Sequence, residues 1–360
     1  MPLFGIIASM RNLIETSQPQ LPLEPLEPRP SPESQATFLS LEAVKNFYPQ
    51  VLDEARALME TCGLAKTEAG KTCLWFCFAQ AKILRSLLQE PTSLLNSGFC
   101  QKIGGPERNP YRQIDLIGGD LVMEVVSQMG LEAEVFIEER GWVRVNNEAT
   151  KIVVVDPLDG TSGVFTGLRD QAAGIVIGGK EGNFQAGAIV SLVDREMVLI
   201  EEDRVNFLSF EENLGQIKKL SIPPKKEIEF SQARIATLAR RMKETMLETP
   251  LFKSRFFPDL PTFGGYGVLC LLRGQVDVLI DPFVGQPWYE VFLWGQMAEK
   301  MGFTVTDEKG ERINFNNIFA RAKKGLEERL KIIISANSNL HQQVLEGLKL
   351  KIQEGEIFSG

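Results

Sequence analysis

The chain has 360 residues, 44% of them hydrophobic and 24% charged, with a net charge of −8. That balance describes a globular protein long enough for about two domains of ~150 residues each. It excludes a nucleic-acid-binding face, which needs clustered Lys and Arg, and a membrane span, because no apolar run reaches ~18–20 residues.

His341 is the only histidine. A multi-His metal site is therefore excluded, and hard cations on oxygen ligands stay open. The five cysteines, Cys62, Cys73, Cys77, Cys100 and Cys270, are odd in number and scattered among apolar neighbours. They read as buried thiols in a reducing compartment, which suggests the cytoplasm. Met1–Ser17 lacks a basic segment ahead of its short apolar stretch, which argues against a secretory signal.

In chain order, Gln18 to Glu33 carries six prolines among polar residues and reads as an extended linker. Residues 1–37 are thus expected to form an N-terminal arm outside the folded body, which begins near Phe38. An α/β half over 38–210 and a second over 211–360 are expected to follow. Helices are predicted from Leu41 to Cys62, from Lys71 to Gln89 ahead of Pro91, and from Asp120 to Met129. Short β-branched runs at Glu134–Glu139 and Ile152–Val155 predict strands, as do Gln171–Ile177, Gln185–Val193 and Glu196–Ile200. Ser231–Leu247 reads as a helix, Val276–Ile280 as a strand and Tyr289–Met301 as a buried helix. Lys331–Ala336 then reads as a strand and Ser338–Gln353 as a last helix. The alternation predicts an α/β protein of stacked layers.

The chemistry concentrates at Lys151-Ile-Val-Val-Val-Asp156-Pro-Leu-Asp159-Gly-Thr161-Ser162. An apolar strand runs into an Asp, Pro157 stops the ladder, and a second Asp follows three residues later. Two carboxylates so close at a buried strand end repel unless a cation lies between them. Gly160 lets a ligand approach the backbone, and the N–H groups of Gly160, Thr161 and Ser162 are candidates to hold phosphate oxygens. Glu138-Glu139 ends the preceding strand, so neighbouring strands would bring Glu138, Asp156 and Asp159 together. Asp115 precedes the Asp120 helix, and Glu290 heads a strongly apolar helix where an unpaired carboxylate is costly. Five oxygen donors with no nitrogen or sulfur donor point to Mg²⁺ or Mn²⁺.

This set resembles the lithium-sensitive superfamily of fructose-1,6-bisphosphatases and inositol monophosphatases. Asp156-Pro-Leu-Asp-Gly-Thr161 is similar to its most specific signature, and Asp115, Phe136-Ile-Glu-Glu139, Tyr289-Glu290 and the close from Ile332 to His341 extend the likeness. Tyr289-Glu290, where the inositol branch has Trp-Asp, is most similar to the fructose-bisphosphatase branch. The resemblance implies an αβαβα sandwich and hydrolysis of a small sugar phosphate, fructose 1,6-bisphosphate or a related bisphosphate, by water activated on two or three Mg²⁺ ions. It implies Glu138, Asp156, Asp159, Glu290 and the Leu158 carbonyl as metal ligands. Asp115, Glu139 and Thr161 would be catalytic, and Gly160, Thr161 and Ser162 would bind the scissile phosphate. Arg255 and Tyr266 are the candidates for the rest of the substrate, and a homodimer or homotetramer is expected. Phosphatases of inositol monophosphate or nucleotide 3′-phosphate are the alternatives within the superfamily. A catalytically silent binding relative is the alternative outside enzymes.

Overall fold

The structure, a computed structural model, describes residues 41–88, 102–104, 111–146, 148–161, 170–202, 204–211, 216–222, 227–236, 264–326 and 329–352. All lie in one compact unit, Phe38–Gly360. The expected arm over 1–37 falls outside the described residues, as do Ser162, Arg255 and most of the helix predicted over 231–247.

Helices α1 (Leu41–Cys62), α2 (Glu68–Leu88) and α3 (Gln113–Gln128) form the first layer. A short β1 (Lys102–Gly104) and β2 (Tyr111–Arg112) pair with each other just before α3. The second layer is an eight-stranded sheet of β3 (Ala133–Ile137), β4 (Gly141–Val145), β5 (Lys151–Asp159), β6 (Ala172–Gly179), β7 (Phe184–Ser191), β8 (Glu196–Glu201), β9 (Arg204–Phe210) and β10 (Ile217–Leu220). Its order is β10-β9-β8-β7-β6-β5-β3-β4. From β5 to β10 it is an antiparallel meander, and β3 runs parallel to β5.

The third layer holds α4 (Gly264–Leu272) and the segment α5 (Trp288–Glu290), a π turn (Val291–Gly295) and α6 (Gln296–Lys300). A four-stranded sheet follows, ordered β11 (Ile235–Ala236), β12 (Val278–Pro287), β14 (Arg329–Ser335), β13 (Thr304–Thr306). Helix α7 (Phe315–Ala322) packs beside the π turn, and α8 (Ser338–Ile352) packs on β14. The αβαβα layering is therefore present.

Strand alternation explains why the layers hold. Val153 and Val155 of β5 face the first helical layer, while Ile152 and Val154 face the third. Likewise Ile332 and Ile334 of β14 point inward to the third layer and Ile333 points outward to α8. A strand buried on both faces reads as a continuous apolar run, and each such aliphatic contributes roughly 1.5–3 kcal/mol. Among the described residues no helix is long and apolar enough to cross a membrane.

Two expectations need correction. Helix α3 begins at Gln113, so Asp115 lies inside its first turn instead of ahead of the helix. The predicted helix from Ser231 fails at its start, where Ile235–Ala236 forms a strand parallel to β12. The buried Asp277 carboxylate explains it, accepting the Arg234 backbone N–H at 2.8 Å and its guanidinium Nε at 3.0 Å. Those bonds fix the chain in the extended form.

His341 is buried in α8, 2.8 Å from Thr306 Oγ1 and 3.0 Å from Ser335 Oγ. It clamps α8 onto β13 and β14. Burial holds its imidazole pKa down to about 4 from the ordinary 6.5. The unfolded chain takes up this proton near pH 6.5 and the folded chain only near 4. Stability therefore falls between those values and levels off below them, by up to about 3 kcal/mol. A single imidazole resonance titrating near pH 4 by NMR, with a His341→Asn variant losing that acid slope in urea melts, is the expected result.

Candidate active site

The site forms where β3, β5, α3, α4 and α5 converge. Parallel pairing sets Ile137 beside Val155, which places Glu138-Glu139 next to Asp156 at the same end of the sheet. The register of β5 on β6 slips between Asp156 and Asp159, as Pro157 requires. The slip sets both carboxylates beyond the regular ladder.

Asp156 is 2% exposed, and its Oδ1 accepts the Leu158 N–H at 3.2 Å. Its pKa is pushed well above the carboxylate range by burial first, then by Glu138, Asp159, Glu139 and Glu290. Glu139 is raised likewise, by burial and then by Glu138 and Asp115. The Glu139 Oε2 atom is buried and has no hydrogen-bond partner among the described residues.

The other carboxylates are held by specific donors. Thr161 Oγ1 lies 2.9 Å from Asp115 Oδ1 and 2.9 Å from the Leu158 carbonyl. Tyr289 donates its hydroxyl to Glu138 Oε1 at 2.5 Å. Asp159 Oδ2 accepts the Gly265 N–H at 2.7 Å, at the N-terminus of α4, where the helix dipole favours an anion. Glu290 follows Pro287 by three residues at the head of the π-containing segment.

Glycines permit these approaches. Gly160 has φ +85°, and a Cβ there would sit 2.9 Å from the Asp170 carbonyl oxygen. Gly118 lets α3 meet Pro157, which sets Asp115, one turn earlier, beside the Asp156–Thr161 turn. At Gly264, φ is +78° and a Cβ would overlap the Asp159 carboxylate. Gly264→Ala is therefore expected to displace Asp159 and raise the Mg²⁺ concentration for half-maximal activity by about 10–100-fold. Metal titration of the purified variant checks this.

Sequence reasoning placed Glu138, Glu139, Asp156, Leu158, Asp159, Gly160, Thr161, Asp115 and Glu290, and all of them converge here. It did not anticipate Gly264-Gly265 or the Tyr289–Glu138 bond. A Gly pair directly before an apolar run was the available signal for the first. Tyr266 stands beside Arg273, its ring 5.5 Å from the guanidinium.

Among the described residues, no three Asp, Glu, His or Cys side chains are arranged so as to hold a metal ion. The cluster is an electrostatic neighbourhood whose members rest on hydrogen bonds. The chemistry of the donors nevertheless suits a divalent cation. The donors are all oxygen, their mutual repulsion is relieved by positive charge, and Glu139 has a buried oxygen left to satisfy.

No protein-family model matches the chain. An Arabidopsis thaliana protein named bifunctional phosphatase IMPL2, chloroplastic, is 23% identical over 245 residues, 68% of this chain and 66% of that protein. The chain thus spans just under two thirds of that relative's length. The extragenic suppressor protein SuhB of Bartonella henselae superposes with a TM-score of 0.54 at 16% identity, covering 75% of this chain and 98% of that one. An IMPase/NADP phosphatase complexed with Mg²⁺ and phosphate gives 0.53 at 17% identity over 74% and 93%. The fold is the layered α/β fold of inositol monophosphatase-type sugar phosphatases.

Proposed function

We propose that the chain is a divalent-cation-dependent phosphatase acting on the phosphate monoester of a small polyol, of the inositol phosphate kind. The observation that carries the reading is the buried Asp156 with Glu138, Glu139, Asp159 and Glu290 as its charged neighbours. The relative named as a phosphatase, and the neighbour complexed with Mg²⁺ and phosphate, accord with it.

In this reading Glu138, Asp156, Asp159, Glu290 and the Leu158 carbonyl hold Mg²⁺. When bound, the ion supplies positive charge for the phosphoryl group and acidity for the attacking water. The chain's own residues do the rest. Thr161 Oγ1, within reach of Asp115 Oδ1 at 2.9 Å, is placed to accept a proton from water while passing its own to Asp115. The turn N–H groups at Gly160 and Thr161 receive the phosphate oxygens. Tyr289 fixes one oxygen of Glu138 and so sets the orientation of that carboxylate.

The test is phosphate release from inositol 1-phosphate, fructose 1,6-bisphosphate, NADP and adenosine 3′,5′-bisphosphate, with and without EDTA. Release that survives the chelator on every substrate would sink the reading. A sugar bisphosphate is the second reading, resting on Tyr289-Glu290 in place of Trp-Asp, and the same panel ranks it.

A further inference from the structure

A second recess lies at the other end of the sheet. Ala172, at the start of β6, pairs with Asp159, whereas Gly179, at its end, pairs with Lys151. They stand seven positions apart along the strand, roughly 20 Å. Beyond Gly179 the β6–β7 turn, α6 and the start of α7 line an open recess of about 540 Å³. Asn183, Phe184, Gln296, Lys300, Arg312 and Asn316 are among its lining residues.

Three independent features mark it. The first is the N-terminus of α7. Asn314 caps it by accepting the Asn317 N–H at 3.0 Å. The N–H groups of Phe315 and Asn316 have no carbonyl partner within their own helix, and the positive dipole end lies there. The second is Lys300, whose ammonium lies 5.5 Å from the Phe184 ring centroid. Arg312 is already paired with Glu299 at 2.8 Å, and among the described residues Lys300 forms no ion pair. The third is Gln296. It is 4% exposed, and its Oε1 is buried without a hydrogen-bond partner among the described residues. An unmade bond of that kind costs about 1–3 kcal/mol.

We propose that this recess is a second small-molecule site that binds a phosphorylated polyol. The phosphate meets the α7 N-terminus beside Lys300, and the Gln296 amide, whose Oε1 lies buried behind the lining, turns toward the recess to accept a hydroxyl. Asn183 and Asn316, bonded to each other at 2.7 Å, form its polar rim. Nothing in this placement uses the carboxylate cluster, so the site stands or falls separately from the phosphatase reading.

The experiment is calorimetric titration in EDTA of the Asp156→Asn chain, so that the carboxylate site neither turns over nor recruits metal. The probes are ribose 5-phosphate and inorganic phosphate. One saturable site at millimolar affinity or better is expected for ribose 5-phosphate, with inorganic phosphate weaker. Gln296→Leu and Lys300→Ala should each weaken ribose 5-phosphate by about tenfold. Gln296→Leu should also hold or raise Tm, because it removes an unsatisfied buried group. No saturable heat up to about 20 mM, affinity unchanged in both variants, or a Gln296→Leu chain of lower Tm would overturn the proposal. The last outcome would mean that the amide is satisfied within the fold.

Discussion

Asp156→Asn is expected to abolish phosphatase activity, by on the order of 10³-fold or more, while making the metal-free protein more stable. The two effects have one cause. Asp156 is buried among four other carboxylates, and their charges oppose the folded state until a cation offsets them. The amide keeps the size of the side chain and an oxygen for the Leu158 N–H. It removes one buried charge whose desolvation costs several kcal/mol. In EDTA the variant should therefore melt a few degrees above the parent chain. Added Mg²⁺ should raise the parent's Tm and leave the variant's nearly unmoved, since a ligand stabilises only the state that binds it. Paired thermal melts with and without Mg²⁺, beside an activity assay, measure all three quantities. A variant that melts lower in EDTA would show that Asp156 is a structural anion rather than a strained ligand.

Glu201→Ala is expected to produce the opposite pattern, a large loss of stability with the chemistry intact. Glu201 ends β8 and is 2% exposed. Its carboxylate accepts the Lys66 N–H at 3.0 Å, the Thr67 N–H at 2.8 Å and the Thr67 hydroxyl at 2.7 Å. It thereby supplies the anion at the start of α2 and ties the helical layer to the sheet. Alanine leaves these donors buried and unmatched, at a cost of about 3–5 kcal/mol. At roughly 2–4 °C per kcal/mol, Tm should fall by about 10 °C or more. Turnover per folded molecule at a temperature well below the transition should match the parent chain. Gly70→Ala tests the same contact from the other side, because its Cβ would overlap the Glu201 carboxylate.

The Asp156–Thr161 turn was the most legible part of the molecule. Val153, Val154 and Val155 have no polar interruption before Asp156, and only a strand covered on both faces tolerates that. Glu138 was legible for the same reason, once β3 and β5 were taken as neighbours. Glu290 could be read from its cost, as a carboxylate heading an apolar segment. What stayed hidden depends on contacts distant in sequence. The strand at Ile235–Ala236 owes its extended form to Asp277, 43 residues from Arg234. Helix α4 opens on Gly264-Gly265, a pair that reads locally as a turn and makes sense only against Asp159. The recess at Gln296 was equally invisible, since a Gln inside an apolar helix announces nothing until its neighbours are known.

The π turn at Val291–Gly295 makes the length of this segment part of the site. It sits between Glu290 and Gln296, and its Trp294 lies so close to Gly174 that a Cβ there would overlap the indole. That contact pins the downstream half in place. Tightening the turn to ordinary helix with all five residues kept would rotate Glu290 by about 100° around the axis. The aromatic packing would have a near-equivalent solution, but the carboxylate would point elsewhere. The phase of one helix is thus set by a turn that takes up a single extra residue.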